Sequence, residues 1–201
     1  MAKTLSAIRE IVRQMLRDEF VSGKDFEWEP DELDIYIQHT LAEISERRPY
    51  EVKETLTTTA SSRELDISSI DDLLEIDKLE YPTGNYPRDY RNYNQIDSST
   101  IEIDTTLTPG DSEDVYVYCN KLHQLTESSS TLTLNMETAL VLGSVANAAI
   151  GKAQYHIKRV NVAGGRMASE LQRWGMTKLA LYRSALSRVA KLKIYIEYPK
   201  G

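Results

Sequence analysis

NMETALVLGSVANAAIGKAQYHIKRVNVAGGRMASELQRWGMTKLALYRSALSRVAKLKIYIEY, residues 135–198, reads as two long helices followed by one short strand. Asn135 is placed to cap the first helix, its side-chain oxygen accepting from a free N–H of the opening turn. Met136, Ala139, Leu140, Gly143, Ala146, Ala149, Ile150, Ala153 and Ile157 then recur at steps of three and four, the spacing of one helical face. Many of these residues are small, so a partner helix can come close. Asn161 to Gly165 interrupts the period with paired glycines, suited to a helix end or turn. From Arg166 to about Ala190 a second helix is expected, roughly 38 Å long at its usual rise. Leu171, Leu179, Tyr182, Leu186 and Val189 share one side of it. Arg166, Arg173, Thr177, Ser184, Arg188 and Lys191 share the other. The period then drops to two: Leu192, Ile194, Ile196 and Tyr198 alternate with Lys193, Tyr195 and Glu197, which is strand patterning.

Working outward, the 201-residue chain suits one domain with an insertion, or two small domains. Its hydrophobic share of 41% and charged share of 27% are those of a soluble globular protein. One cysteine, Cys119, excludes an internal disulfide and a multi-cysteine metal site. Met1 to Phe20 is amphipathic and charged throughout, unlike a signal peptide, and no apolar run reaches the ~18 residues of a membrane span. A cytosolic or assembly-bound protein is expected. The net charge of −7 hides a split: residues 136–201 hold 11 basic and 3 acidic side chains, while residues 1–135 hold 13 and 28. Either two solvated faces of opposite sign, or a surface for head-to-tail assembly or nucleic acid, follows from that.

Towards the N-terminus, Leu5, Ile8, Ile11, Val12, Met15 and Leu16 make an amphipathic helix. VSGKDFEWE, with Gly23, reads as a loop. Pro30 suits the first position of a second helix, with Asp31 and Glu32 favouring its N-terminal dipole. Leu33, Tyr36, Ile37, Thr40, Leu41 and Ile44 are its buried face, and Pro49 stops it. Between Tyr50 and Leu134, Ser, Thr, Asp and Tyr take over, and short alternating runs replace the helical period: VKETLTTTA, RELDIS, LLEIDKLEY, STIEIDT and DVYVYCNKL. Ile101 and Ile103 face one way; so do Val115, Val117 and Cys119. Thr108 to Asp111 is a turn signal. The expected fold class is therefore α+β. A bundle of about four helices, residues 1–49 and 135–201, two N-terminal and two long C-terminal, carries a C-terminal strand. A small antiparallel β domain, residues 50–134, is inserted within it.

Within the insertion, Tyr81 to Gln95 (YPTGNYPRDYRNYNQ) reads as a loop that its prolines and glycine keep from being strand or helix. Tyr81, Tyr86, Tyr90 and Tyr93 there either offer a docking surface or fold back over the sheet as a lid. Catalytic patterns are missing. His39, His123 and His156 lie far apart without metal-ligand spacing, and His39 reads as a packing or surface residue. No nucleophile elbow or phosphate-binding loop is present. Ala163 to Arg166 opens a helix but lacks the lysine and preceding strand of a phosphate loop. Cys119 reads as a small hydrophobe on an inward strand face. Neither an enzyme, nor a cofactor or metal site, is expected.

Three stretches resemble the head–tail connector proteins of tailed bacteriophages, also called adaptors or head-completion proteins. WEPDELDIYIQHTLAEIS (Trp28 to Ser45) is similar to that family's second helix. LTLNMETALVLGSVANAAIGKA (Leu132 to Ala153) is similar to its helix after the β segment. The arginine-dotted last helix is the third. Together they span about half the chain, and the size of the insertion resembles podophage-type adaptors. The resemblance implies a structural virion protein at the head–tail interface, made in the host cytoplasm. It would form a ring, usually of twelve copies, below the portal protein. The ring would extend the DNA channel and receive the tail or nozzle, with packaged DNA passing through it without sequence preference and no membrane involved. In that setting Arg166, Arg173, Arg188 and Lys191 would form a basic stripe facing the channel or the next subunit. Lys193, Ile194, Tyr195, Ile196, Glu197 and Tyr198 would add a strand to the portal or a neighbour. The alternatives are a nucleic-acid-binding protein using the basic last helix, and another neck or tail protein such as a stopper or terminator.

Overall fold

Thr4 starts the first helix. Its extended backbone and side-chain oxygen, 3.4 Å from the Ala7 N–H, provide the opening cap of α1, Leu5–Leu16. Arg17 ends it in the left-handed conformation at φ 56°, with its N–H on the Gln14 carbonyl. In this computed structural model the described residues are 3–18, 27–106, 108–159 and 165–189; for 158, 159 and 165–167 the backbone alone is described. Contacts divide the chain into two units, Met1–Arg48 with His123–Gly201, and Pro49–Leu122.

The helical unit follows the apolar periods closely. Pro30 is the first residue of α2, Pro30–Arg47, whose Leu33, Ile37, Leu41 and Ile44 are buried. The helix α3, Leu134–Arg159, packs against α1, α2 and α4, Gly165–Val189. Three neighbours leave it little surface, so Ala139, Leu140, Val145, Ala146, Ala148 and Ala149 are all fully buried. Small side chains set how near those neighbours come. A Cβ on Gly143 would collide with the Thr40 side chain and lie 3.0 Å from the Tyr182 ring. One on Gly175 would lie 2.9 Å from Ile150 Cγ1.

Two expectations for α3 are corrected. Asn135 is not its cap: the Thr133 carbonyl already accepts from the Glu137 N–H at 2.9 Å, so the helix starts one residue earlier, at Leu134. Ile157 continues the stripe in sequence but is exposed, because it lies a full turn beyond Ala153, the last buried residue of the face. On α4 the expected apolar side is observed. Tyr182 is 2% exposed, and Leu171, Leu179, Leu186 and Val189 are half-buried.

The inserted unit holds two antiparallel sheets. One has the order β1-β7-β3-β4, from β1 (Tyr50–Thr57), β3 (Leu73–Glu80), β4 (Tyr90–Arg91) and β7 (Asp114–Lys121). The other has the order β2-β6-β5, from β2 (Glu64–Asp66), β5 (Tyr93–Gln95) and β6 (Thr100–Ile103). Val115, Val117 and Cys119 of β7 and Ile101 and Ile103 of β6 face inward as their alternation requires, and join Leu65, Ile67, Ile76 and Leu79 in one core. The turn before β7 is closed by Thr58, whose hydroxyl donates to the Gly110 carbonyl at 2.8 Å. Tyr81 to Gln95 is corrected: it holds β4 and β5. Neither has a period of its own, since their ladders come from Leu79 and Glu80 on one side and from β6 on the other.

The insertion is also shorter at its C-terminal end than the expected 50–134. Residues 123–133 cluster with the helices because Leu125 and Leu132 enter the helical core. His123 is bonded to Ser45, Arg48 and Thr131 there. The expected terminal strand, Lys193 to Tyr198, lies outside the described residues, as does most of the VSGKDFEWE loop.

Candidate functional site

Helix α4 carries five basic residues and one acid, Glu170. Because Tyr182, Ala168 and Gly175 turn inward, the 100° step places Arg173 and Arg188 on the opposite, exposed side. No ion pair among the described residues holds either guanidinium. The face also exposes Met176 and Leu181, apolar side chains beside free positive charge. Of the rest of the stripe, Arg166 belongs to the first turn of α4 but its side chain is outside the described residues, and Lys191 lies outside them altogether. Sequence reading passed over Arg183. It is exposed beside Glu43, Glu46 and Arg47 in a groove of about 540 Å³ whose floor is Leu179, Tyr182 and Leu186. There the Tyr182 hydroxyl donates to Glu43 Oε2 at 2.8 Å. Burial first, and then that carboxylate, raise the Tyr182 pKa well above its ordinary value, so the phenol stays protonated as a donor.

The four tyrosines of the inserted segment have four different settings. Tyr81 is buried, with its hydroxyl donating to Glu113; burial and that hydrogen bond push its pKa up to about 12. Tyr93 is half-buried and donates to the Ile76 carbonyl at 2.8 Å. Tyr90 packs edge-on against Tyr118, with ring centroids 6.1 Å apart. Tyr86 is wholly exposed. Around Tyr90 and Tyr118 the sheet face carries cations: Lys78 Nζ lies 4.4 Å from the Tyr90 ring centre, and Lys53 Nζ 3.6 Å from that of Tyr116. Glu80 accepts from the Tyr118 hydroxyl at 2.7 Å, and Arg88 donates to the same hydroxyl oxygen at 2.9 Å. These are cross-strand pairs that fix side chains on an otherwise solvated face.

Two of the groups that chemistry would use, Cys119 and His123, are held in structural roles. Cys119 is buried, and desolvation, with Glu54 nearby, pushes its thiol pKa up, away from the reactive thiolate. His39 is exposed on α2. His123 is buried between Thr131 Oγ1 at 2.8 Å and the Arg48 carbonyl at 2.9 Å. A carbonyl can only accept, so Nε2 carries the proton and the Thr131 hydroxyl donates to Nδ1. Burial lowers the His123 pKa and keeps it neutral. Among the described residues no group of three or more His, Cys, Asp or Glu could hold a metal ion. No helix among them is long and apolar enough to cross a membrane.

Comparison with known proteins found no matching family model and no matching curated protein.

Proposed function

We propose that this chain is a structural adaptor of a tailed bacteriophage: a subunit of a ring, usually of twelve, that sits below the portal protein, extends the DNA channel and receives the tail or nozzle. The observation that carries the reading is the exposed face of α4, where Arg173 and Arg188 stand without an ion pair among the described residues, beside Met176 and Leu181. A single copy gains little from such a face. Repeated around a ring, it becomes a band of positive charge attracting phosphates without regard to sequence, or a seam against acidic groups of the next copy. The opposite sign is available on the same molecule: Pro49–Leu122 holds 16 acidic and 6 basic residues, a net of −10, against +3 for the remainder. Unlike patches on one chain favour head-to-tail contacts, and these close into rings when the rotation allows.

The double substitution Arg173→Glu with Arg188→Glu tests it. Both side chains are exposed, so the far-ultraviolet circular dichroism of the free protein should be unchanged. Ring closure on the portal, or retention of packaged DNA, should be lost. Normal rings and undiminished infectivity in the double variant would contradict the assignment.

A further inference from the structure

The inserted unit contains a groove of about 650 Å³ that shares only Tyr93 and its Ile76 contact with the surfaces above. Its walls are strand edges. On one side, β3 is laddered to β7, whereas on its other side β4 pairs only with Leu79 and Glu80. Among the described residues, no strand pairs with the outer edge of β3 from Leu73 to Lys78. Across the groove, β5 is likewise paired on one side only, to β6. The Ile76 carbonyl accepts from the Tyr93 hydroxyl at 2.8 Å, and both residues line the groove, so that carbonyl turns into it, and an added strand there replaces the phenol as its donor. Leu73, Leu74 and Ile76 give it an apolar wall, and Leu74 is 43% exposed. An apolar, unpaired edge is the arrangement that folded proteins ordinarily protect.

The chain also carries a segment patterned for such an edge. Lys193 to Pro199, KIYIEYP, alternates with a period of two, and in a strand its N–H and C=O groups would pair with a ladder. Seven extended residues reach about 23 Å, and the six-residue edge from Leu73 to Lys78 about 20 Å. The charges match as well. Lys191, Lys193 and Lys200 against Glu197 give residues 191–201 a net of +2. Asp72 and Glu75 line the groove, and Asp71 and Asp77 adjoin them in sequence.

We infer that the C-terminal segment of one copy adds as a strand to the free edge of β3 in a second copy, with Ile194 and Ile196 meeting Leu74 and Ile76. Segment and groove are different patches of the same chain. Each copy therefore donates to one neighbour and receives from another, and a closed ring leaves none unfilled. The inference gives the ring reading a specific contact, but its test traps even a weak, transient pairing covalently and requires neither portal nor DNA, so either can fail while the other stands.

The test uses full-length chains. Leu74→Cys in one preparation is mixed with Ile194→Cys or Ile196→Cys in another and oxidised, and disulfide-linked heterodimer is measured on a non-reducing gel. Leu74 is already exposed and Cys119 is buried, so neither folding nor the native thiol confuses the readout. Ile35→Cys, exposed on α2 and outside every surface described above, replaces Leu74→Cys as the control. At least tenfold more heterodimer with Leu74→Cys than with Ile35→Cys is expected. Adding Ile194→Asp to the Ile196→Cys chain should bring the yield down to the control. Equal yields from the two positions would overturn the inference. So would a link that forms only within a single chain carrying both cysteines, whatever the dilution.

Discussion

Asp18 joins two stretches of chain that side-chain patterning leaves unrelated. Its Oδ2 accepts from Arg13 at 2.7 Å, and its Oδ1 accepts from the Glu27 N–H at 2.7 Å. Both members of the ion pair are buried. Removing one partner of a buried pair is strongly destabilising, because the other charge loses a counter-charge bonded at 2.7 Å. Asp18→Ala is therefore expected to cost about 3–5 kcal/mol in urea denaturation, while Asp18→Asn, which keeps an acceptor oxygen, costs less. His123 makes a second prediction. Its folded pKa lies below the ordinary value of 6.5 because burial disfavours the charged ring. As pH falls below 6.5, the unfolded chain takes up a proton that the folded chain resists. The stability present above that pH is lost progressively towards the lower folded pKa. The melting temperature should fall between pH 7 and pH 5, and His123→Gln should flatten that part of the dependence. Neither role was legible in the sequence. Asp18 works through backbone N–H groups, which no side-chain period reveals, and the setting of His123 includes Ser45, 78 residues earlier.

Among the elements, the small residues of α3 govern how closely the bundle packs. At Gly143 a side chain would meet Thr40 of α2 and Tyr182 of α4 together, so neither helix can yield without moving the other. Gly143→Val should cost about 1–3 kcal/mol or more in thermal or urea unfolding, the range for overpacking a filled core. An exposed small-to-large change such as Ala180→Val should cost far less. The helices were readable because each has a full apolar stripe, and α2, α3 and α4 also have the stop or start chemistry of Pro30, Pro49 or Gly165. The longer strands β1, β6 and β7 were readable from alternation. In β3 the face of Leu74 was not, since irregular register between Leu73 and Glu75 and between Ile76 and Lys78 breaks the period of two. β4 and β5 are two and three residues long, too short to show any period. In the candidate site, the exposure of Arg173 and Arg188 followed from the 100° step. The tyrosines could not be sorted in the same way, because their hydrogen-bond partners Glu113 and Ile76 come from other strands.

For the whole molecule, the α+β architecture, four helices and an inserted antiparallel β unit among the described residues, matches the reading of the residues. An unlike charge balance is written into the two units, net −10 in Pro49–Leu122 and +3 in the rest. In a head-to-tail contact the acidic unit of one copy can meet a basic patch of the next, and a closed ring repeats that pairing. Assembly should weaken as salt screens those patches, over the Debye length of about 10 Å at 0.1 M. On the adaptor proposal, a portal of matching symmetry would hold the first few contacts of the ring in the right rotation. The direct measurement is electron microscopy of the purified chain, alone and mixed with the portal complex of the same phage, alongside sedimentation across a dilution series. The predicted result is a monomer or weak associate by itself and, on the adaptor proposal, a closed ring of the kind the resemblance implies once portal is added. A compact dimer that survives dilution and ignores the portal would contradict the adaptor assignment.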